Sequence, residues 1–144
     1  MKKKTPEDYG IGNYTKNPDG SLSVEGYVDL SNCNLKVLPF QFKEVTGDFY
    51  CSNNKLTSLK GAPLYVGGNF ACHNNKIKSL IYAPKKVRLS FICSFNKLLS
   101  LKGVPRFMVN ADYFGCEGNP KKFTKEDIEY ALNTINSVEF IKDL

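Results

Sequence analysis

Apolar positions return along this chain at a fixed interval. Segments beginning at Phe49, Phe70 and Phe91 read FYCSNNKLTSLKGAPLYV, FACHNNKIKSLIYAPKKV and FICSFNKLLSLKGVPRFM, a step of 21 residues. One step back, VDLSNCNLKVLPFQFKEV from Val28 fits the same frame. Forward, FGCEGNP from Phe114 fits after a step of 23, which points to an insertion around 106–113. The first column of the frame is Val28, Phe49, Phe70, Phe91 and Phe114. Two residues on stand Leu30, Cys51, Cys72, Cys93 and Cys116. Apolar, any, apolar predicts a short strand with one face buried. Leu35, Leu56, Ile77 and Leu98 follow, then Leu38, Leu59, Leu80 and Leu101. A fixed period in this range predicts a solenoid, in which each unit buries its apolar face against the next.

Between the strand and the leucines runs a column of Cys33, Asn54, Asn75, Asn96 and Asn119. The chain turns inward there, which leaves buried backbone groups off the strand ladder. An Asn amide both donates and accepts, so this column is expected to be a structural ladder between neighbouring units and not an active site. Each unit then carries Gly-Ala-Pro or a variant at 61–63, 82–84 and 103–105, with Val66, Val87 or Met108 three residues on. That connection is too short and too Pro-rich for a helix, so an extended or tightly turned path is expected.

Two flanking elements differ from the repeat. Tyr14-Thr15-Lys16 and Ser21-Leu22-Ser23-Val24-Glu25 enclose Asn17-Pro18-Asp19-Gly20. Pro sets φ at the second turn position and Gly permits positive φ, so a hairpin is expected. The basic stretch before it, 1–7, reads as frayed. At the other end Thr124 stands as an N-cap with Asp127 three residues later, and Ile128, Leu132 and Ile135 follow at helical spacing with Ala131 alongside. Phe140 and Ile141 beyond it are assigned no element. A solenoid needs polar ends, and these two elements are expected to cap it.

The frame L-x-L-x-x-N/C-x-L-x-x-L is that of the leucine-rich repeat, and across 28–120 the chain resembles that family. YVDLSNCNLKVLP fits closely, with Cys33 as the permitted alternative to Asn. The likeness is to short-repeat versions in bacteria and their viruses, with units like G-x-F-x-C-S-x-N-x-L-T-S-L-x-G-A-P. The resemblance implies a leucine-rich-repeat solenoid in a single domain: an N-terminal hairpin cap at 8–27, about five repeats at 28–120 and a C-terminal helical cap at 121–144. Its short parallel β-sheet would line the concave face, opposite an irregular convex side. A fold of this kind does not fix an activity. The likeness to virus-borne repeats implies a bacteriophage protein that binds a host protein and inhibits or redirects it.

Composition narrows this. MKKKTPEDYG has no apolar run behind its basic start, and no apolar run approaches ~18 residues, so a soluble cytoplasmic protein is expected. Of the five cysteines, four share one core column and the fifth lies in the Asn column, with no Cys-x-x-Cys pair. Core packing, not zinc or a disulfide, is the expected role. His73 is the single histidine, and Cys72 beside it points to the opposite face of a strand. No nucleophile–base pair, paired carboxylates or phosphate-cradling Gly motif appears, so neither an enzyme nor a cofactor is expected.

Two surfaces are candidates for binding. The outward strand positions are Asp29, Tyr50, Ala71, Ile92 and Gly115, flanked by Tyr27, Asp48, Asn69, Ser90 and Tyr113 on one side and Ser31, Ser52, His73, Ser94 and Glu117 on the other. Of these, Tyr27, Asp29, Asp48, Tyr50, His73, Ile92 and Tyr113 are the candidate contacts, because extended repeat faces are used for binding. The second surface is electrostatic. The chain carries a formal +6, and between Asp48 and Asp112 there is no acidic residue while ten Lys and Arg accumulate. Lys55, Lys76 and Lys97 share one column and so form a basic edge. Like charges at ~4.8 Å spacing repel, which points to an acidic protein partner. Nucleic-acid binding through the same edge is the alternative, weakened by the scarcity of Arg and the lack of a nucleic-acid module.

Overall fold

The computed structural model describes residues 2–108 and 113–132. It is a β-solenoid of about four turns with one C-terminal helix. The described residues include eleven short strands: β1 (Tyr14–Lys16), β2 (Leu22–Val24), β3 (Val28–Asp29), β4 (Phe42–Val45), β5 (Phe49–Tyr50), β6 (Tyr65–Val66), β7 (Phe70–Ala71), β8 (Lys86–Val87), β9 (Phe91–Ile92), β10 (Phe107–Met108) and β11 (Phe114–Gly115). They form two walls. One sheet runs β3-β5-β7-β9-β11 and the other β1-β2-β4-β6-β8-β10. All pairings are parallel except that of β1 with β2.

The first wall follows the frame read from the sequence. Val28, Phe49, Phe70, Phe91 and Phe114 stand in register. Four of their side chains are fully buried, and Phe114 is half-buried. The phenylalanine rings stack face to face down the axis: Phe49 on Phe70 at 5.6 Å, Phe70 on Phe91 at 5.3 Å and Phe91 on Phe114 at 5.7 Å. Each such pair contributes ~0.5–1.5 kcal/mol beyond its area burial. Leu30, Cys51, Cys72, Cys93 and Cys116 lie in the same core, as do Leu56, Leu59, Ile77, Leu80, Leu98 and Leu101.

The second wall corrects the expectation of an irregular convex side. Val24, Val45, Val66, Val87 and Met108 stand in register at the same 21-residue step. The four valines are buried. After each Pro the backbone is extended, the residue of the valine column faces inward, and parallel pairing with the turn below follows. The hairpin forms as expected, with the Gly20 amide donating to the Asn17 carbonyl at 2.9 Å and Gly20 at φ 88°. Its second strand is also the first parallel strand of the second wall, so pairing runs unbroken across the boundary drawn at residue 27. The step of 107 from 86 is still 21, whereas that of 114 from 91 is 23. The two extra residues therefore lie between Met108 and Phe114.

The N-terminal stretch is held, not frayed, from Thr5 onward. Pro6–Tyr9 form a 3-10 turn with a Thr5/Asp8 capping box, and the Tyr14 hydroxyl donates to Glu7 at 2.7 Å. At the far end residues 125–132 form a helix, α1. The Asp127 amide donates to Thr124 Oγ1 at 3.1 Å and the Thr124 amide to Asp127 at 2.8 Å, the capping box read from the sequence. The expectations for Ile135, Phe140 and Ile141 lie outside the described residues. No helix among the described residues is long and apolar enough to cross a membrane.

Candidate functional site

The asparagine column is a continuous hydrogen-bonded ladder. Asn75 Nδ2 donates to the carbonyls of Cys72 in its own turn (3.1 Å) and Cys51 in the turn before (3.0 Å), and its Oδ1 accepts from the Leu56 amide (3.0 Å). Asn96 repeats this with Cys93, Cys72 and Ile77. Asn54 reaches Cys51, Leu30 and the amides of Cys33 and Leu35, and Asn119 reaches Cys116, Cys93 and the amides of Asn96 and Leu98. Each cysteine carbonyl from Cys51 to Cys93 therefore receives two asparagine donors, one from its own turn and one from the next. Cys33 departs from the column's role. It is exposed, and its thiol donates to the Ser31 carbonyl at 3.3 Å, so it bridges no turn.

The residue before each ladder position adopts a left-handed conformation: Asn32, Asn53 and Asn74 at φ 55–57°, Phe95 at φ 54° and Gly118 at φ 74°. Asn and Gly tolerate this region, whereas a bulky side chain does so at a cost. Phe95 is the departure. It is exposed, and its ring lies on Gly118 where a Cβ would otherwise sit. The sequence signal was the break from Asn in an otherwise polar column.

On the first wall the candidate contacts are tied to one another. The Tyr50 hydroxyl donates to Asp48 at 2.9 Å, Ser52 Oγ and His73 Nδ1 share a hydrogen bond at 3.0 Å, and Tyr113 reaches Glu117 at 3.5 Å. Burial, then the bond to Asp48, pushes the Tyr50 hydroxyl above its ordinary value. The Glu117 charge does the same to Tyr113, and Glu117 is held low, first by its own backbone amide. Tyr27, Asp29 and Tyr113 are exposed, and Tyr50, His73 and Ile92 are half-buried. Ala71, expected to point outward between Tyr50 and Ile92, is only 2% exposed because those larger neighbours flank it in register.

Asp48 also has a structural role that the sequence reading missed. Its Oδ1 accepts the Asn69 amide at 2.6 Å, and Asn69 Oδ1 accepts the Ser90 amide at 3.0 Å. The signal available was the Asp48, Asn69, Ser90 column of capping-type residues beside a Gly-rich corner. A Cβ on Gly68 would collide with that Asp48 carboxylate, and one on Gly67 with the Thr46 carbonyl, so the turns meet there without side chains.

The basic edge is in register. The amides of Lys55, Lys76 and Lys97 donate to the carbonyls of Leu35, Leu56 and Ile77, each one turn below, at 2.7–2.8 Å. All three side chains are exposed, and among the described residues none of them forms an ion pair. Cys51, Cys72 and Cys93 are buried free thiols whose ionisation is pushed well up by burial. They pack as small apolar groups and are poor nucleophiles. Among the described residues no cluster of His, Cys, Asp or Glu has the arrangement to hold a metal ion. Comparison with protein-family models and with curated proteins finds no match for this chain.

Proposed function

We propose that this chain is a protein-interaction module of the leucine-rich-repeat type that docks an acidic partner protein. The observation that carries this reading is the lysine edge. Three exposed lysines recur in register on consecutive turns within a window free of acidic residues. Lysines on adjacent turns, whose strands lie ~4.8 Å apart, repel one another, and stability alone favours interspersed carboxylates. Carboxylates of a partner relieve that repulsion. Tyr27, Tyr50, Ile92 and Tyr113 supply apolar contact on the neighbouring wall. On the same reading the β1–β2 hairpin and α1 cap the array, and the partner is a host protein that a bacteriophage product inhibits or redirects.

The test is parallel affinity capture from a nuclease-treated bacterial lysate with the native chain and the Lys55→Glu, Lys76→Glu, Lys97→Glu variant. The expected result is a defined acidic protein retained by the native chain. Surface plasmon resonance on that protein then shows slower association with the variant, by about tenfold at low salt and less at high salt. Equal capture by both chains, or captured material that is nucleic acid removed by nuclease, overturns the proposal.

A further inference from the structure

The repeat supplies its own control for what each position needs. At the position where two turns carry Lys60 and Lys102, the turn between them carries Ile81. Where earlier turns carry Thr57 and Lys78, the next carries Leu99. The fold is satisfied by polar residues at both positions, yet these two are apolar and largely bare, Ile81 at 72% and Leu99 at 68% exposure. They face the same space. Together with Phe123 and the exposed Tyr130 of α1 they line an open groove of about 1130 Å³ between the solenoid and the helix. Its other lining residues include four lysines, Lys78, Lys85, Lys102 and Lys121, against one carboxylate, Asp127. That carboxylate is engaged by the Thr124 amide at 2.8 Å and by Lys121 at 3.9 Å.

We infer that this groove takes an acidic peptide segment of a partner protein, one that carries two or more apolar side chains. The apolar floor and cationic rim require both features in one ligand. Exposed apolar side chains that cluster, when the repeat does not need them, mark an interaction surface. The excess of cations rejects basic segments and attracts carboxylates. Phosphates of a nucleic acid match the rim and Tyr130 offers a face for one base, but Ile81 and Leu99, the two positions that break the repeat, are aliphatic and stack none. The inference rests on the acidic-partner reading above and assigns that partner's anchoring segment to a place apart from the Lys55, Lys76, Lys97 edge.

The experiment is selection of a displayed library of random peptides, about 12 residues long to allow i, i+3, i+4, i+7 anchors, on the immobilised full chain. Enriched peptides are then titrated by fluorescence anisotropy against the native chain, the Ile81→Lys, Leu99→Thr variant, and the Lys55→Glu, Lys76→Glu, Lys97→Glu variant. The first variant installs residues that sister turns already carry, so its fold is retained, and thermal melting checks this. The expected result is enrichment of acidic peptides with at least two apolar residues. Their affinity falls about tenfold or more in the groove variant and less than about threefold in the edge variant. Acidic peptides that respond only to the edge variant leave the acidic-partner reading standing and overturn the groove. Neutral or basic peptides, or no enrichment, overturn both. Binding to anionic phosphatidylserine vesicles, or a concentration-dependent dimer, lost in the groove variant without peptide binding overturns the assignment in favour of a membrane or a second copy.

Discussion

Replacing Asn75 by Ala tests the ladder where its partners are best defined. The side chain is 7% exposed and touches two turns. Its loss does not strand every partner equally. The Cys51 carbonyl keeps the donor from Asn54 at 3.1 Å, and the Cys72 carbonyl keeps that from Asn96 at 3.1 Å. The Leu56 amide, in contrast, loses the Asn75 oxygen that it donates to at 3.0 Å and is left in a buried position. A stranded buried amide costs ~1–3 kcal/mol, and two weakened carbonyls add about 1 more, so the expected loss is ~2–4 kcal/mol. At this chain length that is a fall in Tm of roughly 6–15 °C.

Urea unfolding of native and Asn75→Ala chains, followed by circular dichroism, gives the free-energy difference directly. A difference within ~0.5 kcal/mol refutes the argument, since it leaves no room for a stranded amide. Asn75→Asp sharpens the test. The carboxylate keeps an acceptor for the Leu56 amide but turns a second oxygen towards the carbonyls of Cys51 and Cys72, where a donor had been. Burial and those carbonyls raise the folded-state pKa of the new acid above its unfolded value. The folded chain then binds the proton more tightly, so destabilisation is largest at neutral pH and shrinks as pH falls through the raised value. A pH-independent penalty sinks this reasoning.

Other consequences follow from the same geometry. Phe95→Asn places a tolerant residue at φ 54° and is expected to raise stability by ~1 kcal/mol, read by thermal melting; a loss of stability shows that the ring's packing on Gly118 outweighs the backbone cost. Phe70→Ala removes the middle of the ring stack and is expected to cost ~3–5 kcal/mol in urea unfolding, with a value below ~1.5 showing that the stack collapses onto the gap. Glu7 and Asp8 are held below their ordinary values, first by the Tyr14 hydroxyl and by the Thr5 amide respectively. Their contribution is complete above the ordinary carboxylate range and is lost as pH falls through the lowered folded values, so the protection factors of the N-terminal amides, taken relative to intrinsic exchange at each pH, should fall in acid, and Glu7→Gln should abolish part of that pH dependence.

How much of this was legible in the sequence depended on how many columns an element contributes. The first wall gives two buried residues per turn, at Phe49 and Cys51 and their equivalents, and the inward turn gives an asparagine and two leucines. Those overlapping columns made the period and the ladder readable. In β6 and β8 the second wall gives one buried residue per turn, beside the half-buried Tyr65 and the exposed Lys86. A single valine carries no period-two signal, and only pairing across turns reveals a sheet. The hairpin was readable from turn chemistry, but its second strand's membership of that wall was not, because Val24 looks like any strand residue until Val45 and Val66 are set beneath it. The exposed thiol of Cys33 was missed for a related reason: at the first turn the column's residue type survives without the partner that gives it a function.

The second wall also changes where binding is to be sought. A repeat array curves into a hollow when its outer wall takes up more length per unit than its inner one. Between β4 and β9 both walls consist of parallel strands advancing at one 21-residue step, so each rises ~4.8 Å per turn there and neither side is driven to open. Over those turns the strand face has no difference in rise to set it apart from the opposite wall. Its candidate contacts are moreover partly spent on each other: Tyr50 on Asp48, Asp48 on the Asn69 amide, His73 on Ser52. A partner must replace those bonds to use the side chains, which lowers the net gain from each. The Lys55, Lys76, Lys97 edge and the apolar pair Ile81 and Leu99 carry no such internal debt among the described residues. The lysines recur from turn to turn with no carboxylate to bind among the described residues, and Ile81 and Leu99 break a polar pattern that the fold accepts elsewhere. On the proposal of an acidic partner, the expected contacts are therefore the surface residues that the solenoid has no use for, Lys55, Lys76, Lys97, Ile81 and Leu99, and not the sheet face.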